Sequence, residues 1–262
     1  MSNFDPITWI RKTDLYQKLR NPWFWHLDAH MSRKGIHAVK GRHTGETGVV
    51  LATGPSLHNT DFTPYRDMPV IGLNRIYLAN TEIPISIDYL VCINDLLLQQ
   101  CANEIAELDV PCFISWASRD YFTPRPRITY LNAIDSFDFE KNLLKRVPVG
   151  STVTFVALQL AYWMGFQKII ILGLDHQYSL ERHEEELAPH QTAQRQFSDT
   201  NHFHTEYFGA GMKWQLPDLA ESERAYAEAE RAFSADGRKI VNATPGSQLN
   251  IFERLDSPDH KS

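Results

Sequence analysis

Residues 150–178 show the clearest pattern in the chain, in which polar turn residues alternate with long apolar runs. Ser151 or Thr152 can cap a helix there, because a side-chain hydroxyl can accept a hydrogen bond from a free N–H group of the first turn. Residues 153–164 are mostly apolar, and Gly165 stands where a left-handed C-cap belongs. The pattern therefore predicts a helix over residues 153–164.

The apolar run that follows is the best candidate for a fully buried strand. Residues 168–174 are nearly all aliphatic and rich in isoleucine, and the run stops at Asp175. Open α/β sheets bind ligands at the carboxyl ends of their strands, and the N–H groups at a helix start can hold an anion such as phosphate. A ligand site and plain α/β architecture explain this stretch equally well, since many buried strands end in aspartate.

Shorter apolar runs bounded by turn residues indicate the remaining elements. They predict strands at 48–53, 70–73, 88–93, 111–115 and 238–243, and helices at 96–108 and 218–235. Residues 116–149 contain prolines and aromatics without a clear period and predict a loop with short elements. The order predicts a Rossmann-like α/β fold: a mainly parallel sheet, helices on both faces and a lid inserted after Asp175.

Polar residues gather where the predicted strands end. They are Gly54, Ser56, Asn74, Asp95, Asp175 and Asn242. One polar rim on a parallel sheet is the expected signature of a ligand crevice. The turn at Gly54 and Pro55 permits close approach of the backbone to a ligand, although it matches neither the dinucleotide fingerprint nor the Walker A loop. Asn74 and Arg75 can read a base or ribose by hydrogen bonds; the alternative is an asparagine turn with a solvated arginine.

A long polar segment over residues 179–216 is rich in histidine and glutamate. Loops of this length in compact domains are usually functional lids or disordered linkers, and the aromatic residues within it favour an ordered lid. We therefore predict a helical, aromatic and basic extension over residues 1–47, an α/β domain over residues 48–256 that includes the lid, and a disordered tail over residues 257–262.

The predicted extension combines tryptophans with basic residues. Amphipathic helices packed on the domain explain this composition. Peripheral contact with a membrane surface is the alternative, because aromatic and basic side chains together favour lipid interfaces.

Composition excludes several classes of protein. The 262 residues are 43% hydrophobic, enough for one large core, and the formal net charge of −6 argues against nucleic-acid binding. The three cysteines form no CxxC pair, which indicates reduced, buried thiols. The first residues lack the apolar core of a signal peptide, and no apolar run reaches the roughly 18 residues of a membrane span. A cytoplasmic location is expected, at the inner membrane face if the extension binds lipid.

Six short motifs carry a resemblance to a known group of proteins. In chain order they are GPSL (54–57), LNRIYL (73–78), GSTVTFVALQLAYWMGF (150–166), ILGLDHQY (171–178), NHFH (201–204) and YFG (207–209). In this order they resemble the bacterial sialyltransferase-like superfamily. That superfamily includes α-2,3-sialyltransferases, flagellin-glycosylation accessory proteins and a branch of 6-hydroxymethylpterin diphosphokinases.

The strand ends and the resemblance together give the expected nucleotide-binding residues. They are Gly54, Pro55, Ser56, Asn74, Arg75, Asp95, Gly150, Ser151, Thr152 and Asp175. The resemblance implies that Asn74 contacts the nucleotide and that Tyr178 stabilises the leaving phosphate, although its spacing from Asp175 differs by about one residue from the superfamily pattern. It also implies a downstream histidine as general base, for which His202 and His204 are the candidates.

Three functions are consistent with these residues. The resemblance favours a CMP-sugar-dependent glycosyltransferase of surface glycan biosynthesis, with a nucleotide-sugar donor, a glycan acceptor and no required metal; a histidine base and phosphate donors suit that chemistry. The first alternative is a diphosphokinase that uses ATP and a pterin, with Mg²⁺ held by Asp95, Asp175 and Asp199. The second is a non-catalytic accessory protein that binds nucleotide or glycan. A metal hydrolase is disfavoured, since the Glu-rich stretch of the lid lacks HExxH spacing.

Overall fold

The computed structural model describes residues 30–123, 125–179, 187–194, 199–209 and 211–255. The predictions for the tryptophans of the extension, the Glu-rich start of the lid and the C-terminal tail concern residues outside these ranges. The helices are α1 (His30–Ala38), α2 (Asp95–Ala106), α3 (Val153–Met164) and α4 (Leu219–Ala235). The strands are β1 (Thr47–Leu51), β2 (Val70–Leu73), β3 (Tyr89–Cys92), β4 (Cys112–Ser115), β5 (Ile128–Leu131), β6 (Ala133–Ile134), β7 (Val147–Pro148), β8 (Lys168–Leu172), β9 (Thr192–Gln194), β10 (Lys213–Gln215), β11 (Lys239–Asn242) and β12 (Glu253–Arg254).

The main sheet has eight strands in the order β12-β11-β8-β1-β2-β3-β4-β5. All of its neighbouring strands are parallel. From β1 the chain proceeds to β2 on one side, and it returns to the other side of β1 only with β8. This reversal of direction is a topological switch point, the usual place for a ligand crevice in an open α/β sheet. The predicted fold class is confirmed.

Side chains alternate between two cores, one on each face of the sheet. Val50 and Ile171 point into the core that also holds α1, α3 and α4. Their chain neighbours Val49 and Ile170 point into the second core, which is formed with α2 and the aromatic residues of the lid. Successive residues of a strand point to opposite faces of the sheet, and both faces are buried here. The central strands are therefore unbroken apolar runs.

Helix α3 has the boundaries that the sequence predicts. The Thr152 side chain accepts a hydrogen bond from the Thr154 N–H at its start, and Gly165 ends it with a φ of 90°. The helix is apolar on most sides because it is enclosed between the sheet, α4 and the strand β7. This burial holds the start of α3 at the carboxyl edge of the sheet.

Two parts of the sheet were not predicted. β5 pairs with β4 as an additional strand in a stretch that was expected to be irregular. β12 has two exposed residues, Glu253 and Arg254, and thus no apolar pattern to reveal it. The lid contains an antiparallel pair, β9 with β10. In the described part of the chain, no helix combines the length and the apolar character that crossing a membrane requires.

Candidate active site

A cavity of about 320 Å³ lies at the carboxyl edge of the sheet. The ends of β1, β2, β3 and β8 form its floor, and the starts of α3 and α4 and the lid form its walls. The predicted site residues that line it are Gly54, Asn74, Ser151, Thr152, Asp175, Tyr178 and His202. The predicted site residues outside its lining are Pro55, Ser56, Arg75, Asp95, Gly150 and His204.

The carboxylate of Asp175 holds the turn that follows β1. It accepts hydrogen bonds from the Ser56 N–H at 3.1 Å and from the Ser56 hydroxyl at 2.7 Å. A Cβ atom on Gly54 would lie 1.8 Å from Asp175 Oδ2, so only glycine permits this approach. Burial raises the pKa of Asp175, and the Ser56 hydrogen bonds partly oppose that effect. Ser56 thus lies outside the cavity lining, and the Asp175 carboxylate stabilises the turn after β1.

Asn74 follows β2 in the left-handed conformation, with a φ of 50°. Its side chain and Thr53 hydrogen-bond to the hydroxyl of Tyr207, while burial raises the pKa of that hydroxyl and keeps it protonated. Asn74 Oδ1 is buried without a hydrogen-bond partner among the described residues. A buried acceptor without a partner is costly, so a ligand that brings an N–H or O–H group would satisfy it.

The start of α3 forms the opposite wall. Ser151, with a φ of 60°, donates its hydroxyl hydrogen to Glu221 Oε2 at 2.5 Å. The Thr152 hydroxyl lies 3.1 Å from the hydroxyl of Tyr226. Val153 and Thr154, in the first turn, also line the cavity. Thr152 occupies the N–H groups of Thr154 and Phe155, so the Val153 N–H and the positive end of the helix dipole are what make this wall suitable for an anion.

His202 and Asp199 form a hydrogen-bonded pair within the lid, joined by 2.7 Å between Nδ1 and Oδ2. The Asp199 side chain is fully buried, and the imidazole stacks on the ring of Tyr207 at 3.8 Å between centroids. An ionised carboxylate only accepts hydrogen bonds, so Nδ1 carries the hydrogen. In the neutral imidazole the lone pair is therefore on Nε2, which is the arrangement of a general base.

His204 does not share this arrangement. Its Nε2 lies 3.3 Å from Glu82 Oε1, and its Nδ1 accepts a hydrogen bond from the Glu206 N–H. Both ring nitrogens are engaged outside the cavity lining. Of the two histidines predicted as the base, His202 is therefore the one that the fold places at the cavity.

Arg75 occupies a different position from the one expected. It is 6% exposed, and its guanidinium donates hydrogen bonds to the carbonyl oxygens of Glu206 and Tyr207 and to the carboxylate of Glu104. The guanidinium is directed at the lid backbone and α2. The alternative of a solvated arginine is therefore wrong. Arg75 also lies outside the cavity lining, and its contact with the nucleotide stays a prediction.

Asp95 and Gly150 also serve the fold. Asp95 begins α2, where its carboxylate accepts hydrogen bonds from the hydroxyls of Ser118 at 2.7 Å and Tyr121 at 3.3 Å. Gly150 has a φ of 53° and lies so close to Phe155 that a Cβ atom would clash with its ring. Pro55 begins a short 3₁₀ helix behind Gly54. These contacts explain why residues adjacent in sequence to the cavity lining do not line it.

Tyr178 lies at the mouth of the cavity, with its ring centroid 6.3 Å from that of Trp214. Although 39% of the residue is exposed, desolvation raises the pKa of its hydroxyl, and Tyr226 and Asp175 raise it further. The phenol therefore stays protonated at neutral pH. It can donate a hydrogen bond to an anionic group in the cavity.

The sequence profile of the family described as 6-hydroxymethylpterin diphosphokinase MptE-like matches residues 27–181, more than half of the chain. This chain belongs to the MptE-like family. Membership confirms the resemblance drawn from the motifs, since the superfamily includes that diphosphokinase branch. No curated protein matches the MptE-like chain by sequence.

Three solved structures are similar to the MptE-like chain at low sequence identity. The MAf glycosyltransferase from Magnetospirillum magneticum AMB-1 is 15% identical with a TM-score of 0.48; the match covers 86% of this chain and 38% of that protein. The sialyltransferase CstII from Campylobacter jejuni with cytidine-5'-monophosphate is 15% identical with a TM-score of 0.47, covering 81% and 85%. CstII with CMP-3FNeuAc is 16% identical with a TM-score of 0.46, covering 80% and 85%.

The lining of the cavity also includes histidines that the sequence does not point to. His176 Nε2 lies 3.0 Å from Glu223, and His190 Nε2 lies 3.1 Å from Glu221. His176 and His190 line the cavity and have positive φ values, as do Asn74 and Ser151. These four are all of the described non-glycine residues with positive φ. Backbone strain tends to concentrate at functional sites, but no sequence pattern reveals a left-handed histidine.

The cavity has few sources of positive charge. Its described lining includes Asp175 but neither lysine nor arginine. The remaining positive sources are the start of α3 and any protonated histidine. Such a wall suits one phosphate group better than a triphosphate, whose larger charge normally requires basic side chains or metal ions.

A diphosphokinase of this family would require Mg²⁺, and one group of described residues fits it. Donor atoms of His190, Asp218 and Glu221 lie within 4.8 Å of one another at the edge of the cavity. Two carboxylates with substrate phosphates are a usual Mg²⁺ environment. Asp95, Asp175 and Asp199, which the sequence suggests for the metal, do not form such a group among the described residues.

Proposed function

We propose that this MptE-like protein is a transferase in which His202 removes the proton from an acceptor hydroxyl, and that its donor is a CMP-sugar. The observation that carries the proposal is the His202–Asp199 pair at a cavity whose opposite wall is a helix start. The pair supplies a base with its lone pair on Nε2. The helix start and Tyr178 supply hydrogen-bond donors for a phosphate.

The proposed reaction is a displacement at the anomeric carbon of the donor sugar. The acceptor oxygen forms the new bond to that carbon as its proton passes to His202 Nε2. The bond from the anomeric carbon to the phosphate oxygen breaks, and its electron pair leaves with CMP. The Tyr178 hydroxyl and the start of α3, with its Val153 N–H and its helix dipole, stabilise the developing phosphate charge. The glycan acceptor class is a surface polysaccharide or glycoprotein.

The absence of basic residues from the described lining favours this donor over ATP. A CMP-sugar leaves as a nucleoside monophosphate, whose single phosphate fits one helix start and one phenol. The triphosphate of ATP carries more charge than these groups neutralise by themselves. The unpartnered Asn74 Oδ1 also requires an N–H or O–H donor, which cytosine and ribose both offer.

Donor hydrolysis provides the first test. The protein is incubated with CMP-sialic acid and related CMP-sugars with and without EDTA, and CMP release is measured beside His202→Asn and His204→Asn variants. We expect CMP release that survives EDTA, is lost in His202→Asn and persists in His204→Asn. Equal loss in both variants, or no hydrolysis of any CMP-sugar, would contradict the proposal.

The second candidate function is ATP-dependent diphosphate transfer to a 6-hydroxymethylpterin. Family membership and the His190, Asp218 and Glu221 group favour it. Mg²⁺ bound there would neutralise the phosphates of ATP. In this reaction too, His202 would take the proton of the acceptor hydroxyl. AMP release that requires ATP, 6-hydroxymethylpterin and Mg²⁺ together, and that is lost in Glu221→Gln, would establish it in place of glycosyl transfer.

Binding without turnover would indicate the third function, a non-catalytic accessory protein. In that case CMP or ATP would raise the melting temperature while no product formed from either donor. CMP release, AMP release and melting temperature, measured together, therefore distinguish the three candidate functions.

A further inference from the structure

Arg75 connects three separate parts of the molecule. It follows β2 at the floor of the cavity, directly after Asn74. One guanidinium nitrogen donates to the carbonyl oxygen of Glu206 at 2.8 Å and to that of Tyr207. The other donates to Glu104 on α2 at 2.9 Å. The arginine thus joins the sheet, α2 and the backbone of the lid.

The lid segment 199–209 is attached to the rest of the domain at two places that follow His202 in the chain. At the first, the Phe203 N–H donates to the Thr53 carbonyl oxygen at 2.9 Å, and the Phe203 carbonyl oxygen lies 2.6 Å from His58 Nε2. At the second, the Arg75 guanidinium holds the carbonyl oxygens of residues 206 and 207, while the Tyr207 hydroxyl hydrogen-bonds to Thr53 and Asn74. Arg75 therefore holds the backbone at the second place, whereas Thr53 and Asn74 hold the far end of the Tyr207 side chain.

We propose that Arg75 is a positioning residue that sets the orientation of the His202 imidazole through Tyr207. The Tyr207 ring stacks on the imidazole with an interplanar angle of 9°, and its backbone carbonyl oxygen is the one that Arg75 holds. Asp199 fixes the same ring from its edge through Nδ1. With Asp199 at its edge and Tyr207 against its face, the imidazole ring is held in one orientation, and that orientation fixes where Nε2 points. This inference rests on the proposed role of His202 as base.

Lysine cannot reproduce these contacts. The planar guanidinium donates to the lid carbonyls and to Glu104 at once, whereas an ammonium group is a single donor centre. The Tyr77 hydroxyl donates to Glu104 Oε2 at 2.7 Å and keeps the carboxylate in place for the arginine. The network requires the fork geometry as well as the charge.

Hydrogen exchange tests the positioning role without any substrate. Exchange is measured by mass spectrometry in the wild type, Arg75→Lys and Glu104→Gln, with Arg125→Gln as control, because Arg125 pairs with Glu107 on the surface. We expect loss of protection at the amides of residues 201–208 in Arg75→Lys, with β1 and β8 unchanged and the control unchanged. Glu104→Gln provides a milder perturbation if Arg75→Lys fails to fold.

Nuclear magnetic resonance and kinetics separate this inference from the proposed function. The imidazole carbon and proton shifts of His202, and their change with pH, are expected to differ from wild type in Arg75→Lys and not in Arg125→Gln. In active enzyme, kcat for CMP-sugar transfer is expected to fall about 10- to 100-fold with donor KM little changed, the range typical of residues that support a ligating or catalytic group.

The results of these experiments test the proposed transferase function and the positioning role of Arg75 separately. If the wild type transfers nothing while Arg75→Lys alters lid protection and the His202 signals, the proposed function fails and the positional effect stands. If Arg75→Lys leaves lid protection and the His202 signals unchanged, the positioning role is overturned. It is also overturned if both change while kcat stays at the wild-type value.

Discussion

His202 donates its Nδ1 hydrogen to Asp199 across 2.7 Å, and the carboxylate that receives it is completely buried. Asp199 also accepts hydrogen bonds from the N–H groups of Asn201 and Phe208. The lid loop is thus folded around the same carboxylate that orients the imidazole. One carboxylate therefore both stabilises the loop and orients the imidazole.

Replacing the proposed base gives the most direct prediction. His202→Asn should lower kcat by about 10²- to 10⁴-fold, because asparagine cannot accept the proton. Donor affinity, measured by calorimetry, should stay within a few fold of wild type. His204→Asn is the matched control and should keep most of the activity. A larger loss in His204→Asn than in His202→Asn would reverse the assignment.

Replacing the orienting carboxylate should also reduce turnover. In Asp199→Asn the amide can present an N–H group to Nδ1, which favours the tautomer with hydrogen on Nε2. By analogy with other carboxylate–histidine pairs, we expect kcat to fall by about 10²-fold or more. Circular dichroism and thermal melting establish whether the variant is folded. Wild-type turnover in a folded variant would show that Asp199 does not set the tautomer.

The phenol at the cavity mouth should act on the leaving group. A phenol is protonated at neutral pH, and desolvation raises the pKa of Tyr178 further, so its hydroxyl can donate to a phosphate. Tyr178→Phe should therefore lower kcat by about 10²-fold, the typical cost of one preorganised donor. Tyr121→Phe is the control, because Tyr121 is 38% exposed, similar to the 39% of Tyr178, and contacts Asp95 outside the cavity. Equal effects of the two substitutions would argue against a role for Tyr178.

The turn after β1 should not tolerate a side chain at Gly54. In Gly54→Ala the added Cβ would lie 1.8 Å from Asp175 Oδ2 and 2.7 Å from the Gly173 carbonyl oxygen. We expect a loss of about 1–3 kcal/mol in the free energy of unfolding, measured with urea. Gly209→Ala is the control, because the nearest atom is the end of the flexible Glu206 side chain at 2.8 Å. Its stability should change little.

The raised pKa of Asp175 predicts how stability depends on pH. Because burial favours the protonated carboxyl in the folded protein, the contribution of Asp175 is fully present below its unfolded pKa and is lost as pH rises through the folded pKa. Asp175→Asn lacks this titration. The difference in unfolding free energy, variant minus wild type, should increase with pH in the window above the usual aspartate pKa and then level off. A difference that decreases over urea titrations from pH 4 to 7 would contradict the shift.

Apolar runs in the sequence predict most of the helices and strands, because buried elements need apolar side chains at regular positions. Residues 70–73 and 153–164 form the strand and helix expected from their apolar runs. The sequence does not reveal β5, because it lies in a stretch of prolines and aromatics without a clear apolar period, or β12, because both of its residues are exposed. Asp95 follows β3, as the sequence predicts, but the first turn of α2 directs its carboxylate to Ser118, outside the cavity lining.

By itself, the sequence determined a parallel sheet with a polar edge and a histidine-bearing lid, since hydrophobic periodicity and turn residues act over a few positions. Tertiary structure alone decided that His202 faces the cavity while His204 pairs with Glu82, and that Arg75 holds the lid. The hydrogen bond between Arg75 and Glu206 joins residues 131 positions apart. Such pairings depend on which segments the assembled sheet brings together, and no local pattern encodes them.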